Sequence, residues 1–244
     1  MTKKITFFPL YDNIQEIAKP QPAKNCIPDW YKEQSSYLNK TKNFETDTRT
    51  EATIKKCIPF FDFMTSGYIM FTSIDILISS DEENNVFYSW PHSFTNKLGT
   101  TKIGAPVEFH SKSQVSNYSK LNKDSVIPKF INPWTIQTPK GYSVLIITPG
   151  QRDLPFEIIP AIVDTDKYNW EINFPFYIKT PGWKGIIEAG TPIAQIIPFK
   201  RDAWKMDINN TKKKKTLTQK QGTVLQSSFY NQYKNSFWNK KDFK

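Results

Sequence analysis

Glycine, cysteine and histidine are all scarce in this chain of 244 residues, which carries nine, two and two of them. Nine glycines against seventeen prolines leave little room for glycine-rich loops that cradle phosphates, and they favour short strands punctuated by proline. Cys26 and Cys57 offer neither a disulfide framework nor a metal spacing. Two reduced thiols in a cytosolic setting is the expectation, with a single bridge between them as the alternative. His92 and His110 lack H-x-H or H-x-x-x-H spacing. Even beside Glu108 or Asp62 they read as ordinary hydrogen-bonded or surface histidines rather than metal ligands. No stretch approaches ~18 uncharged apolar residues, and the apolar run behind the basic start ends at Phe8-Pro9. Neither a membrane span nor a signal peptide is expected. There is no Ser/His/Asp elbow and no supported Cys/His pair.

What is present supports a packed core. Apolar residues make up 38% of the chain and aromatics 15%, too much for global disorder. The length suits one large all-β domain with appended arms. Charge is uneven: residues 200–244 hold 12 Lys or Arg against 3 Asp or Glu, whereas residues 1–199 hold 21 against 20. The basic character therefore sits in the tail.

Residues 1–57 read as an N-terminal arm with a short helix opening at Pro28-Asp29-Trp30-Tyr31. Residues 58–204 read as the core, with no helix expected between 58 and 200. Ile74–Ile78 and Val86–Trp90 flank the turn Asp81–Asn85 as a hairpin, with a weak strand at Val107–His110. Phe130–Gln137, Tyr142–Thr148, Phe156–Val163, Trp170–Lys179, Gly185–Ile187 and Ile193–Phe199 follow as strands, the first two joined by the turn Thr138-Pro139-Lys140-Gly141. Residues 205–244 read as a basic extension. It holds the lysine run Lys212–Lys215 and a helix marked by Leu225, Phe229, Tyr233 and Phe237 at four-residue spacing, which packs on its own domain or a neighbouring subunit, or lies on a membrane surface.

Within this frame, Pro139-Lys140-Gly141-Tyr142, Ile147-Thr148-Pro149, Ala161–Tyr168 and Gly190-Thr191-Pro192-Ile193-Ala194-Gln195-Ile196-Ile197 resemble the second half of dUTPases and dCTP deaminases. The order and approximate spacing agree over about 65 residues. Met64–Tyr68, Asn132-Pro133-Trp134, Arg152–Phe156, Val163–Asp166, Ile172–Phe176 and Gly190–Arg201 also resemble a family of unknown function from bacteria and tailed phages. The first resemblance implies an all-β, dUTPase-like β-clip fold (a distorted jelly roll or barrel) and a homotrimer. It also makes Asp164 the candidate catalytic carboxylate.

The chain departs from the dUTPase pattern in several places. Gly150-Gln151-Arg152-Asp153 stands where hydroxyls should read phosphate, and Lys167 is inserted before Tyr168. Asp62 and Asp75 are only rough neighbours of the first-motif metal position. Gly222 is the only glycine after 190, so the glycine-rich lid motif is missing. No Glu general base for deamination can be placed.

The expectation is a non-catalytic dUTPase-fold binding or assembly protein, phage-encoded and acting in the host cytoplasm or the virion. The alternative is a divergent dUTP/dCTP-type hydrolase using Asp164 as general base. Candidate ligand-binding residues are Arg152, Asp166, Tyr168, Asn173 and Gln195, with Lys140 or Lys200 as further phosphate readers in the enzyme alternative. No metal-binding residue is expected, nor any cofactor, with Mg2+ entering only if the enzyme alternative holds. Expected partners are copies of the chain and other phage proteins; nucleotide or nucleic acid contact through the basic tail is less favoured. Two readings stay open at the acidic turn. Asp164 and Asp166 either share a site or cap backbone amides, and Arg152 either pairs with Asp164 or meets an anion.

Overall fold

The computed structural model describes residues 2–10, 18–38, 52–83, 85–91, 105–110, 114, 126–208 and 232–244. Its contacts group the chain into two units, residues 1–22 with 67–201, and residues 23–66 with 202–244. The stretch read from sequence as one arm, 1–57, is therefore shared between them.

The first unit is built from sheets. Strands β1 (Thr6–Pro9) and β8 (Trp134–Gln137) form an antiparallel pair. A five-stranded sheet runs in the order β11 (Ala161–Val163), β9 (Tyr142–Ile147), β14 (Pro192–Lys200), β3 (Tyr68–Phe71) and β2 (Gln21–Pro22). A four-stranded sheet runs β10 (Phe156–Ile158), β12 (Phe174–Ile178), β7 (Pro128–Phe130) and β6 (Val107–Phe109). A third sheet joins β13 (Lys184–Ile187), β4 (Ile76–Ser80) and β5 (Val86–Ser89). All recorded pairings are antiparallel, and the all-β expectation holds for this unit.

Alternation explains which face of each strand is buried. In β4, Ile76, Ile78 and Ser80 are buried while Leu77 is exposed, the period of two that a half-buried strand needs. In β12 the buried set includes Phe174, Phe176 and Ile178. Phe130 and Phe176 stack with centroids 4.0 Å apart, and Phe156 meets Phe130 edge-on at 5.0 Å. Each fully buried ring contributes about 1.5–3 kcal/mol from burial alone, and the ring pairs add about 0.5–1.5 kcal/mol. The hairpin at 74–90 forms as expected, closed by Asp81, whose Oδ1 accepts the N–H groups of Glu83 and Asn85.

Four sequence expectations are corrected. Phe130–Gln137 is two strands in two sheets, because Asn132-Pro133 breaks the run: proline has no N–H to give a ladder. Phe156–Val163 likewise divides at Pro160 into β10 and β11. A helix does occur after residue 58, since α2 spans Ile58–Thr65. Pro59 suits its first turn, where a missing N–H costs nothing. Thr65 Oγ1 and Ser66 Oγ donate back to the carbonyls of Phe61 and Asp62 at its end. The expected strand Trp170–Lys179 is shorter, starting at Phe174.

The second unit holds α1 (Asp29–Glu33), α2 and α3 (Gln232–Ser236). Tyr31 stacks on Phe60 and Phe61, with centroids near 6 Å. Trp238 Nε1 donates to both carboxylate oxygens of Asp62 (2.9 and 3.1 Å), and Lys241 pairs with the same carboxylate at 2.6 Å. Of the four residues that mark the tail helix, Tyr233 lies in α3 and Phe237 directly follows it. Leu225, Phe229 and the run Lys212–Lys215 lie outside the described residues, as does His92. Cys26 and Cys57 are not joined in a disulfide. Among the described residues no helix is long and apolar enough to cross a membrane.

Candidate functional site

Two turns meet at one end of the β9–β11 pair. The first, Thr138–Gly141, closes with the Tyr142 N–H on the Pro139 carbonyl (3.1 Å), and Gly141 sits at φ 86°, where a glycine is at ease. The second follows β11, with the N–H groups of Lys167 and Tyr168 on the Asp164 carbonyl. Buried hydroxyls stitch them together: Thr138 Oγ1 and Thr165 Oγ1 lie 2.8 Å apart, and the Thr138 N–H reaches the Thr165 carbonyl.

Arg201 draws both acidic residues onto one cation. The β9–β14 register sets Lys200 opposite Tyr142, so the next residue arrives beside the first turn, with its N–H on the Gly141 carbonyl (2.9 Å). Its guanidinium pairs with Asp164 Oδ1 at 3.1 Å and holds Asp166 through both nitrogens. Asp166 also accepts the Gly141 N–H at 2.8 Å, and Asp164 accepts the Ser143 hydroxyl at 2.6 Å. The two carboxylates differ in access, since the Asp166 side chain is 2% exposed and that of Asp164 54%.

The electrostatics follow. Arg201 and then the Gly141 N–H pull the Asp166 carboxyl down to about 2. The Ser143 hydroxyl, with Arg201 behind it, holds Asp164 below its ordinary value. The guanidinium is in turn raised, first by its bonds to Asp166. In the structure the two carboxylates share one cation, and Asp166 also accepts a backbone amide. The cation is Arg201, not Arg152, whose Nη1 instead donates to the Gly150 carbonyl (3.0 Å). Arg201 was legible only as the end of the Gly190–Arg201 segment; nothing local marks its partner.

The remaining candidates fall in two other places. Gln195 is buried on β14, where its Oε1 accepts the Gly150 N–H at 2.8 Å, so Gln195 and Arg152 both serve the Gly150 corner. Gln151, next along, holds φ 60°, a left-handed conformation in a non-glycine residue. Tyr168 and Asn173 line a cavity of about 430 Å3 beside the acidic turn, together with His110, Lys129 and Glu171. Ile146, Ile158, Ile159, Val163, Ile172 and Phe174 supply its hydrocarbon wall. Sequence reasoning had read His110 as an ordinary hydrogen-bonded or surface histidine and had not singled out Lys129 or Glu171; Glu171 lies between Tyr168 and Asn173 in sequence, and the pairing of β7 with β6 and β12 brings in Lys129. Among the described residues, no three His, Cys, Asp or Glu side chains are grouped to hold a metal ion.

No protein-family model matches the chain, and no curated protein matches it. Among solved structures it is similar to the dUTPase of Staphylococcus bacteriophage 80alpha. That likeness has TM-score 0.33 and 11% identity, over 86% of this chain and 97% of the other. It is also similar to a mutant of the 80alpha dUTPase with dUpNHpp (TM-score 0.33, 11% identity, 87% of this chain and 90% of the other). A mutant dUTPase from phage phi11 of S. aureus, for which coordination of a structural Mg(II) ion is described, gives TM-score 0.29 and 10% identity, over 80% and 97% of the two chains. These likenesses to phage dUTPases are distant, and the all-β fold stands on the sheets themselves.

Proposed function

We propose that this chain is a non-catalytic binding or assembly protein on a dUTPase-like scaffold, phage-encoded and trimeric. The observation that carries the non-catalytic part is the state of Asp164. A general base working near neutral pH gains from a pKa raised toward 7. Here the Ser143 hydroxyl and the Arg201 guanidinium stabilise the anion and lower it instead. The pair Asp164 and Asp166 fits Mg2+ poorly, because Arg201 already occupies the place between them as a cation. The cavity lined by Tyr168 and Asn173 supplies a binding site of the size small ligands take. The trimer and the phage origin rest on the sequence resemblance of residues 139–201 and of the unknown-function family.

A nucleotide panel on the purified chain tests the reading. Thermal shift and pyrophosphate release are followed for dUTP, dCTP, the other dNTPs and the NTPs, with and without Mg2+. The expected result is no turnover, together with a lowered Tm for Asp164→Asn. Turnover that Asp164→Asn abolishes in a folded protein would overturn it. Light scattering on the same sample reads the trimer.

A further inference from the structure

The C-terminal tail closes on the second unit through one carboxylate. Asp62 lies in α2, and its side chain is 14% exposed. Trp238 Nε1 donates to both of its oxygens, and Lys241 Nζ reaches Oδ2. Asp62 thus accepts an indole N–H and an ammonium from residues three apart, a use that suits an ionised carboxyl with acceptor sites alone. A second ion pair, Lys24 with Asp242 at 2.9 Å, holds the tail one residue further on.

The clasp is specific yet shallow. Residues 233–244 include none that is buried: Tyr233, Trp238 and Phe243 are half-buried, and Phe237 is exposed. The Lys24–Asp242 pair is open to water on both sides, where an ion pair contributes little. A chain end with few buried apolar contacts opens locally far more readily than a core does. The seat beneath it is better fixed, since Met64 of α2 is buried and Phe60 and Phe61 pack on Tyr31.

The seat also extends past the tail that occupies it. Phe60 and Phe63, three apart on α2, share a face, and Trp30 of α1 meets Phe60 edge-on with centroids 6.1 Å apart. With the tail in place, Trp30 is still 43% and Phe63 41% exposed. Phe63 stands about 100° round the helix from Asp62. An aromatic surface therefore borders the carboxylate, and the tail leaves part of it open.

We propose that this seat recognises a segment of another protein carrying a tryptophan and a lysine three residues apart, and that the chain's own C-terminus holds it closed until such a segment arrives. A second copy offers the same pattern in its tail. Exchange between copies, however, makes no contact that each chain lacks, and it costs the freedom of separate molecules. A foreign segment gains what the tail does not, by covering Trp30 and Phe63 with apolar residues beside its own tryptophan. This goes beyond the binding reading above, adds a second site and does not depend on it.

The probe is a labelled peptide of residues 232–244, followed by fluorescence anisotropy. It should bind the full chain carrying Trp238→Ser saturably, and the unaltered chain at least about tenfold more weakly, because the tethered tail competes at its own effective concentration. Peptides with Trp238→Phe or Lys241→Met should each lose about tenfold, and adding Asp62→Ala to the Trp238→Ser chain should abolish binding. A peptide library with Trp and Lys fixed three apart and the other positions varied is then screened on the unaltered chain. It should yield apolar-flanked members that bind about tenfold tighter than the 232–244 peptide, and Phe63→Ser should remove that advantage. Equal binding of the probe to the two chains, binding that survives Asp62→Ala, or a library with no such member overturns the proposal. An oligomer of the unaltered chain that Asp62→Ala dissolves would give the seat to a second copy and overturn it as well. Should Trp238→Ser fail to fold, the library on the unaltered chain decides alone.

Discussion

Replacing Asn132 by alanine removes three hydrogen bonds from a buried corner at once. The Leu10 N–H reaches the Pro133 carbonyl at 2.9 Å, which makes Pro9 and Trp134 a pair that exchanges no ladder bonds. The Trp134 N–H and C=O therefore turn away from β1, and the Asn132 side chain meets both, at 3.1 and 2.7 Å. Its amide nitrogen also donates to the Ile172 carbonyl at 3.1 Å. Each orphaned buried group costs about 1–3 kcal/mol, so three set a ceiling of about 9 kcal/mol. They belong to one network, and water can enter the space left by the side chain, so the lower part of that span, about 3–4 kcal/mol, is expected. Urea denaturation followed by far-UV circular dichroism reads it as a lower midpoint at unchanged slope. Asn132→Asp keeps the acceptor for the Trp134 N–H but aims a carboxylate at two carbonyls, and should cost at least as much. A loss below about 1 kcal/mol for the alanine variant would refute the reasoning.

Two further predictions follow from other parts of the first unit. The depressed carboxyls of Asp164 and Asp166 contribute stability above the ordinary aspartate value of 3.8 and lose it as pH falls toward about 2. A Tm profile from pH 6 downward should therefore drop across that window, and Asp166→Asn should flatten the drop; an equally steep fall in the variant counts against the Arg201 clamp. Gly67 holds φ 73°, and a Cβ there would lie 2.0 Å from the Ile196 carbonyl oxygen. Gly67→Ala should cost about 3 kcal/mol or more and show as a large Tm loss or as insoluble expression; an unchanged melting curve would contradict the close approach.

Local chemistry made much of this fold legible, and partner choice did not. The hairpin around Asp81 was readable because alternation on both strands and an aspartate able to cap amides lie within a few residues of each other. The division at Asn132-Pro133 was missed although the proline was in view. Apolar Ile131 and Trp134 bridge the break in composition, and the buried asparagine that replaces the ladder bonds acts on Ile172, far along the chain. Helix α2 was missed because its five-residue run Phe60–Met64 fits either period, and the Pro59 signal stood alone. The same holds at the site. The two aspartates were visible as a turn, yet their cation is delivered by the β9–β14 register, which no window around residue 164 contains. Tyr168 and Asn173 were singled out from motifs; Glu171 stood between them in sequence and was passed over, while Lys129 became their neighbour only through strand pairing.

The pairing of β1 with β8 sets Thr6 against Gln137. A chain made from its N-terminus at roughly 5–20 residues per second exposes Thr6 for on the order of ten seconds before its partner strand exists. During translation the first strand is therefore an orphan edge carrying Phe7 and Phe8, open to chaperones or to a neighbouring nascent chain. Synthesis on a shared message would bring such edges together while each still awaits its own β8.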